Sequence, residues 1–307
     1  MAKENYVHLL GVIQRKPVVQ VDGEGNYRNG LFFLKVIRGP RQVGDNRYTA
    51  KYDEPVVMSF DPERVKEMAS FEENDVIEVK GVIAVKPIMK SSTCGFCGAR
   101  NSVQGTLVYV CPLDMFKVKH IESEEEMNTF LNERSEISNE ILCFCTLVRD
   151  PKKITPKSGL TVTQYQVALN RKFRITTDPP EVKADYPWVK SYGDNAQSDR
   201  ERLHVGSEIF VDGCLQARGV NRHTVCANCG QRYDWKDKAM EIVPFACEYV
   251  NNYYSDADIE RMKQEAIEEA KRSVFKTMKN APSEVELQKD DIITDDDLEA
   301  GFDTNGQ

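Results

Sequence analysis

Two short stretches far apart in the chain carry the same Cys-x-x-Cys-Gly: STCGFCGARN at 92–101 and TVCANCGQRY at 224–233. The spacing behind them repeats too. Gly81 precedes Cys94 by 13 residues and Gly213 precedes Cys226 by 13, so glycines and cysteines share an offset of 132. GVIQRKP (11–17) lies over TLVRDPK (146–152), with Pro17 on Pro151 at an offset of 134. NDVIEVKGVIAVKP (74–87) lies over GSEIFVDGCLQARG (206–219). A near-constant offset over this length marks an internal duplication, and a unit of this size is a whole domain rather than a solenoid repeat. The chain must therefore build one small fold twice.

Each block reads as strands. YVHLLGVIQ, GLFFLKVI, EPVVMSF, DVIEVKGVIAV and TLVYV are rich in β-branched and aromatic residues and bounded by turn residues. DPERVKEMAS (61–70) is a short helix between the third and fourth strands, with Asp61 as N-cap and Pro62 as its first residue. The second block offers EILCFCTLV, TVTQYQVALN, EIFVDGCLQA and AMEIVPFACEYV as strands, and SYGDNAQSDRERL in the helix slot. Five strands with a helix between the third and fourth is the order of an OB-fold barrel. Gly81 and Gly213 suit a sharply bent long strand. The expected class is mainly β: two tandem OB-fold barrels with zinc-knuckle hairpin inserts, a C-terminal helix and an acidic disordered tail.

The expected division is 1–120 for the first barrel, 121–136 for an acidic linker, 137–254 for the second barrel, 255–281 for an amphipathic helix and 282–307 for a flexible tail. Charge follows it. Residues 255–307 hold 15 acids and 7 bases, which accounts for the whole net charge of −8; the remaining 254 residues carry 34 of each sign. An acidic chain of this kind does not exclude a polyanion partner, because charge is segregated along it. In the helical stretch 256–279, Ile259, Met262, Ala266, Ala270, Val274 and Met278 form one stripe. No apolar run approaches the roughly 20 residues that span a bilayer, and MAKENYVHLL lacks the shape of a signal peptide. The expected location is cytoplasmic, with no membrane partner.

YPWVKSYGDNAQSDRERLHVGSEIFVDGCLQAR (186–218) resembles the third strand, helix and fourth strand of the bacterial single-stranded DNA-binding protein family, and VVMSFDPERVKEMASFEENDVIEVKGVIAVK is a weaker version. The resemblance covers about 250 residues as two copies. It implies an OB fold and non-catalytic binding of single-stranded DNA in replication, recombination or transfer. Two departures stand out. The typical member has one such domain per chain and assembles as a tetramer, and it lacks cysteine pairs between its last two strands. Tandem domains with zinc-ribbon inserts look more like archaeal and eukaryotic replication-protein relatives. The family's acidic tail recruits replication and repair proteins and usually ends in a hydrophobic tip, whereas this chain runs five residues past Phe302. A homo-oligomer is also among the expectations.

Nine cysteines with no secretion signal argue against a disulfide framework. A Cys-x-x-Cys turn points two sulfurs at one tetrahedral metal. The simplest assignment is one structural zinc per block: Cys94, Cys97 and Cys111 in the first, Cys226, Cys229 and Cys247 in the second. The fourth ligand stays open, with Asp114, His120 or His223 as candidates; loss of the second site is the alternative. Cys143, Cys145 and Cys214 fall on strands and read as small core residues. A redox pair would want a βαβ context, which is missing.

Binding single strands without sequence preference needs cations along the phosphates and flat rings under the bases. The first block offers Lys35, Arg38, Arg41, Arg47, Lys90 and Arg100 with Tyr48, Tyr52, Phe60 and Phe96. The second offers Arg171, Lys172, Arg174, Arg218 and Arg222 with Tyr165, Trp188, Tyr192, Tyr233 and Trp235. Phe32 and Phe33 are adjacent on a strand, so one is core. The chain has no phosphate-binding Gly-x-x-x-x-Gly-Lys-Ser/Thr loop, no His-Glu-x-x-His and no Gly-x-Ser-x-Gly, so no enzyme is expected. An RNA-binding tandem barrel and a protein-binding scaffold are the alternatives.

Overall fold

The computed structural model describes residues 4–39, 41–43, 46–48, 51–154, 160–171 and 184–279. For 41–43, 46–48 and 274–279 only the backbone path is described. The first half runs β1 (Asn5–Ile13), β2 (Val18–Val21), β3 (Tyr27–Arg38), β4 (Arg41–Val43), β5 (Asn46–Tyr48), β6 (Lys51–Asp53), β7 (Val56–Ser59), α1 (Pro62–Met68), β8 (Asp75–Thr93) and β9 (Arg100–His120). Helix α2 (Glu124–Glu133) joins it to the second half: β10 (Asn139–Ile154), β11 (Val162–Asn170), β12 (Ala184–Asp185), β13 (Trp188–Tyr192), α3 (Gly193–Arg202), β14 (Glu208–Val225) and β15 (Arg232–Asn251). Helix α4 (Asp256–Lys279) follows. Residues up to Ser255 form one compact unit, and α4 belongs to a second.

The two halves close in the same way. In each, the first strand pairs antiparallel with the second long strand and with the fourth. The barrel shuts through a parallel contact, Val57 opposite Val110 in one half and Val189 opposite Ile242 in the other. Those pairs sit at the 132 offset. Inward positions at matching places fill the core: Val57, Val79, Ile83 and Val110 against Val189, Val211, Leu215 and Ile242, each at most 1% exposed. Strand alternation puts these residues on one face, and their burial supplies most of the stability of each barrel. Asp61 caps α1 as expected, accepting hydrogen bonds from the amides of Glu63 and Arg64.

Gly81 and Gly213 sit at matching irregularities of the β8–β9 and β14–β15 ladders. A Cβ there would run into the carbonyl oxygens of Cys111 and Val243. Each glycine is required because the partner strand passes too close for a side chain.

The halves are joined by β1 pairing antiparallel with β10. Val7 faces Ile141, Asn5 faces Cys143 and Leu9 faces Asn139. With the repeat offset of 134 here, the Val7–Ile141 pair is its own mirror, so an approximate two-fold axis passes through it. Side chains obey the same symmetry. Asp53 accepts a hydrogen bond from the Ala217 amide at 2.9 Å, and Asp185 accepts one from the Val85 amide at 2.7 Å.

The segment expected to be an acidic linker, 121–136, is instead held against the body. Ser123 caps α2, and Met127, Phe130 and Leu131 pack with Leu10, Val12, Ile37, Val76 and Ile121. Counting charge hid an apolar triplet at helical spacing.

Candidate nucleic-acid interface

Strands β8 with β9 and β14 with β15 form two long hairpins that project from their barrels and meet across the two-fold axis. Their tips carry the cysteine pairs. Within each tip the amide of Gly98 or Gly230 donates to the carbonyl of Cys94 or Cys226 at 2.9 Å. Both glycines hold positive φ, 72° and 71°, a conformation that other residues rarely adopt. This is why a glycine follows each pair.

The structure brings the two pairs together into a single cluster. The ligand atoms of Cys94, Cys97, Cys226 and Cys229 all lie within 4.8 Å of one another. Sγ of Cys94 is 3.8 Å from Sγ of Cys229, and Sγ of Cys97 is 3.6 Å from that of Cys226. Four sulfurs at about 2.3 Å from a tetrahedral zinc stand about 3.8 Å apart, so the donor set fits that ion. The expectation of one site per half with a third cysteine is therefore corrected. Cys111 lies eleven residues along β9 from Arg100, about 36 Å down an extended strand. Cys247 faces the barrel interior, where burial pushes its thiol far up. Nor do the candidate fourth ligands join in: His120 bonds Asp75, His223 bonds Asp234, and Asp114 lies beside Arg64. Cys143, Cys145 and Cys214 are core residues as expected.

Amide donors surround the sulfurs. The Cys229 amide, together with Asn101 and the Asn228 amide, draws the Cys226 thiol down to about 6. The Ala99 amide and the Asn228 side chain lower Cys97. At Cys229 the Gln231 amide favours the thiolate, but burial and the neighbouring sulfurs prevail and push it up to about 12. Thiolates gathered without a counter-ion repel one another, which is the electrostatic reason such a set takes up a cation.

Beneath the tips, a cleft of about 690 Å³ lies astride the two-fold axis. Its walls pair equivalent positions of the two halves: Lys90 with Arg222, Val56 with Trp188, Leu107 with Ala239, Val108 with Met240. Phe33 and Trp188 supply rings. Phe32 is 1% exposed and core, so Phe33 is the outward member of that pair. Four cations, Lys90, Arg218, Arg222 and Lys238, face three carboxylates, Glu54, Asp237 and Glu241. Lys90 meets Asp237 at 2.6 Å and Lys238 meets Glu54 at 2.9 Å, both across the halves. Arg218 holds Glu241 through two bonds of 2.7 and 2.8 Å, which raises its own pKa. The trough is thus a mixed, nearly balanced surface rather than a cationic one. Outside it, Lys86 stands 4.0 Å over the Phe60 ring, Lys35 4.4 Å over Tyr52 and Arg149 5.6 Å from Trp188.

The other expected contact residues divide. Phe96 is 69% exposed at the first tip, and Arg100 and Arg222 are exposed nearby. Tyr192 is half-buried and donates to Gln216 at 3.0 Å. Two tyrosines are corrected to the interior: Tyr165 is 0% exposed and donates to Asp199, and Tyr233 is 4% exposed against the cysteine cluster, hydrogen-bonded to Ser92. Trp235 packs on the same cluster, its indole nitrogen buried. Arg38 is bound to buried Asp53, and Arg171 to Asp185 at 2.6 and 2.8 Å. These two arginines neutralise the carboxylates that bridge the halves. Burial still raises the Asp53 carboxyl against the pull of Arg38. Lys172 and Arg174 lie outside the described residues, as do the side chains of Arg41, Arg47 and Tyr48. Lys90 is an expected cation of the first block that the structure places in the groove, whereas Phe33, Arg149 and Lys238 were not among the expected contacts; for Phe33 the strand alternation was signal enough.

Fold and groove together define a tandem OB-fold protein with a cysteine centre where its hairpins meet. Residues 138–228 match the family model described as "Single-strand binding protein family". "Single-stranded DNA-binding protein 2" of Chlorobaculum tepidum is 31% identical over 81 residues, 26% of this chain and 55% of that protein. The chain thus spans about half the length of that relative. "Single-stranded DNA-binding protein" of Staphylococcus aureus is 28% identical over 160 residues, 50% of this chain and 97% of that protein. The crystal structure of the wild-type single-stranded DNA binding protein from Thermus aquaticus aligns with a TM-score of 0.52 at 14% identity, covering 83% of this chain and 97% of that one. At that coverage the match extends over both halves and establishes the fold. The chain is similar to the bacterial single-stranded DNA-binding proteins over residues 138–228 and has an OB fold in both halves.

Proposed function

We propose that the chain is a non-catalytic single-stranded DNA-binding protein of replication, recombination or transfer, which seats the strand in and beside the groove between its hairpins. The observation that carries this reading is the groove itself. It is open to solvent, lined by Phe33 and Trp188 and walled by Lys90, Arg218, Arg222 and Lys238. Exposed Phe96 and the Lys86–Phe60 pair extend it. Rings accept stacked bases of any identity, and phosphates displace the acids that hold the cations. The cysteine centre holds zinc in a structural role: four protein sulfurs leave no open position to activate water. The relatives' names support DNA as the ligand. We further read the chain as cytoplasmic, with its acidic tail, 282–307, contacting replication or repair proteins; charge supports the second point. Among the described residues no helix is long and apolar enough to cross a membrane. The test is a titration with oligo-dT of increasing length at two salt concentrations, beside matched RNA. Binding to oligo-dT that weakens steeply with salt is expected. Salt-insensitive binding, or none, refutes the proposal, and tighter binding to RNA reassigns the ligand.

A further inference from the structure

We propose that a single zinc ion per chain, shared between the halves, is the clasp that locks the two hairpins into one body. Each hairpin supplies two sulfurs and neither can complete a tetrahedron alone, while the four together have the spacing that zinc demands. Binding replaces the thiol protons, which leave to solvent, with one cation.

The contacts around the cluster also run between the hairpins. The Asn101 side chain donates to Cys226 Sγ at 3.5 Å and accepts from the Ala227 amide at 2.9 Å. Asn228 donates to Cys97 Sγ at 3.7 Å. Ser92 and Tyr233 share a hydrogen bond of 2.6 Å. These bonds are short-range and directional, so they hold only while the tips stay in register. Below them the halves are tied across the groove by the Lys90–Asp237 and Lys238–Glu54 ion pairs, then by the Asp53 and Asp185 bridges and the β1–β10 pairing; the ion pairs hang on long, flexible lysine side chains and do not fix the register of the tips. Without an ion, thiols packed at van der Waals distance supply little attraction and no geometry. The metal is what makes the far end of the groove a closed end.

The inference goes beyond the DNA-binding reading, and its test uses no DNA. Native mass spectrometry of the full chain is expected to show one zinc. Cys97→Ser and Cys229→Ser, one change in each half, are each expected to lose the ion entirely. Two ions per chain, or a variant that keeps its metal after losing the other half's cysteine, overturns the proposal. So does a metal-free native protein with oxidised cysteines. A readout on the unmodified chain guards against misfolded variants. Chelation followed by hydrogen exchange is expected to speed exchange at both tips, 94–99 and 226–231, together, while β1 and β10 remain protected. Tips that stay equally protected after the metal is removed also overturn it.

Discussion

Trp188 gives the sharpest test of the groove. It lies on β13 beside core Val189, so alternation turns its ring outward to the cleft. Half-buried, it carries Arg149 at 5.6 Å. A base stacked on such a ring contributes about 1–3 kcal/mol, which at about 1.4 kcal/mol per decade is about 5- to 150-fold in Kd. Trp188→Ala is expected to weaken oligo-dT binding by that factor. Urea unfolding, run alongside, is expected to move by less than about 1.5 kcal/mol because the ring is not core. The second tryptophan provides the control. Trp235 packs against the cysteine cluster with its nitrogen buried and is not among the residues that line the groove. Fluorescence quenching on binding is therefore expected to survive Trp235→Phe and to vanish in Trp188→Phe, which keeps a ring for stacking and most of the affinity. Affinity in Trp188→Ala within twofold of the parent, or undiminished quenching in Trp188→Phe, refutes the placement of DNA in this groove.

Gly81→Ala and Gly213→Ala each push a methyl into a carbonyl of the neighbouring strand; each is expected to cost about 1–3 kcal/mol by denaturant unfolding, and one tolerated change would break the equivalence of the halves. Asp53→Ala strips Arg38 of its buried partner and leaves the Ala217 amide unbonded, at an expected cost of about 3–5 kcal/mol; Asp185→Ala, beside Arg171 and Val85, is expected to match it in the same assay. Burial opposes ionisation of Asp75, but bonds from Lys117, His120 and the Glu72 amide prevail and lower its pKa. The stability it contributes is complete above the ordinary aspartate value of 3.8 and is lost as pH falls through the lower folded value. Asp75→Asn is expected to flatten that acid limb in thermal melts, and an unchanged limb counts against the assignment.

The duplication was legible because its markers are backbone requirements. Gly81 and Gly213 answer to a close strand, Gly98 and Gly230 to positive φ, and each is irreplaceable where it stands. The strand order followed from alternation, and so did the core. What spacing along one half does not contain is a contact with the other half. Cys111 and Cys247 were drawn into the metal sites because a tetrahedron needs more ligands than one knuckle offers. The alternative supplier, the other knuckle, is visible only once β1 pairs with β10. Tyr165 and Tyr233 misled for a related reason. A ring among polar neighbours in sequence looks exposed, yet one is covered by its own barrel and the other by the opposite hairpin.

The two halves have parted at some positions and not at others. Core positions across the offset remain alike, valine on valine at 57 and 189 and valine on isoleucine at 110 and 242. Positions in the groove and at the tips do not: Val56 answers to Trp188, Thr106 to Lys238, and exposed Phe96 to Asn228. A symmetric groove would bind a single strand equally well in either direction, whereas a strand of nucleic acid has a polarity. The walls differ, Phe33 and Lys90 of the first half facing Trp188, Arg218, Arg222 and Lys238 of the second, and that asymmetry removes the degeneracy. Oligo-dT carrying a quencher at its 5′ or its 3′ end, read against a fluorophore placed near Phe96, is accordingly expected to give unequal signals. Equal signals from the two labels would mean that the divergence of the walls serves packing rather than recognition.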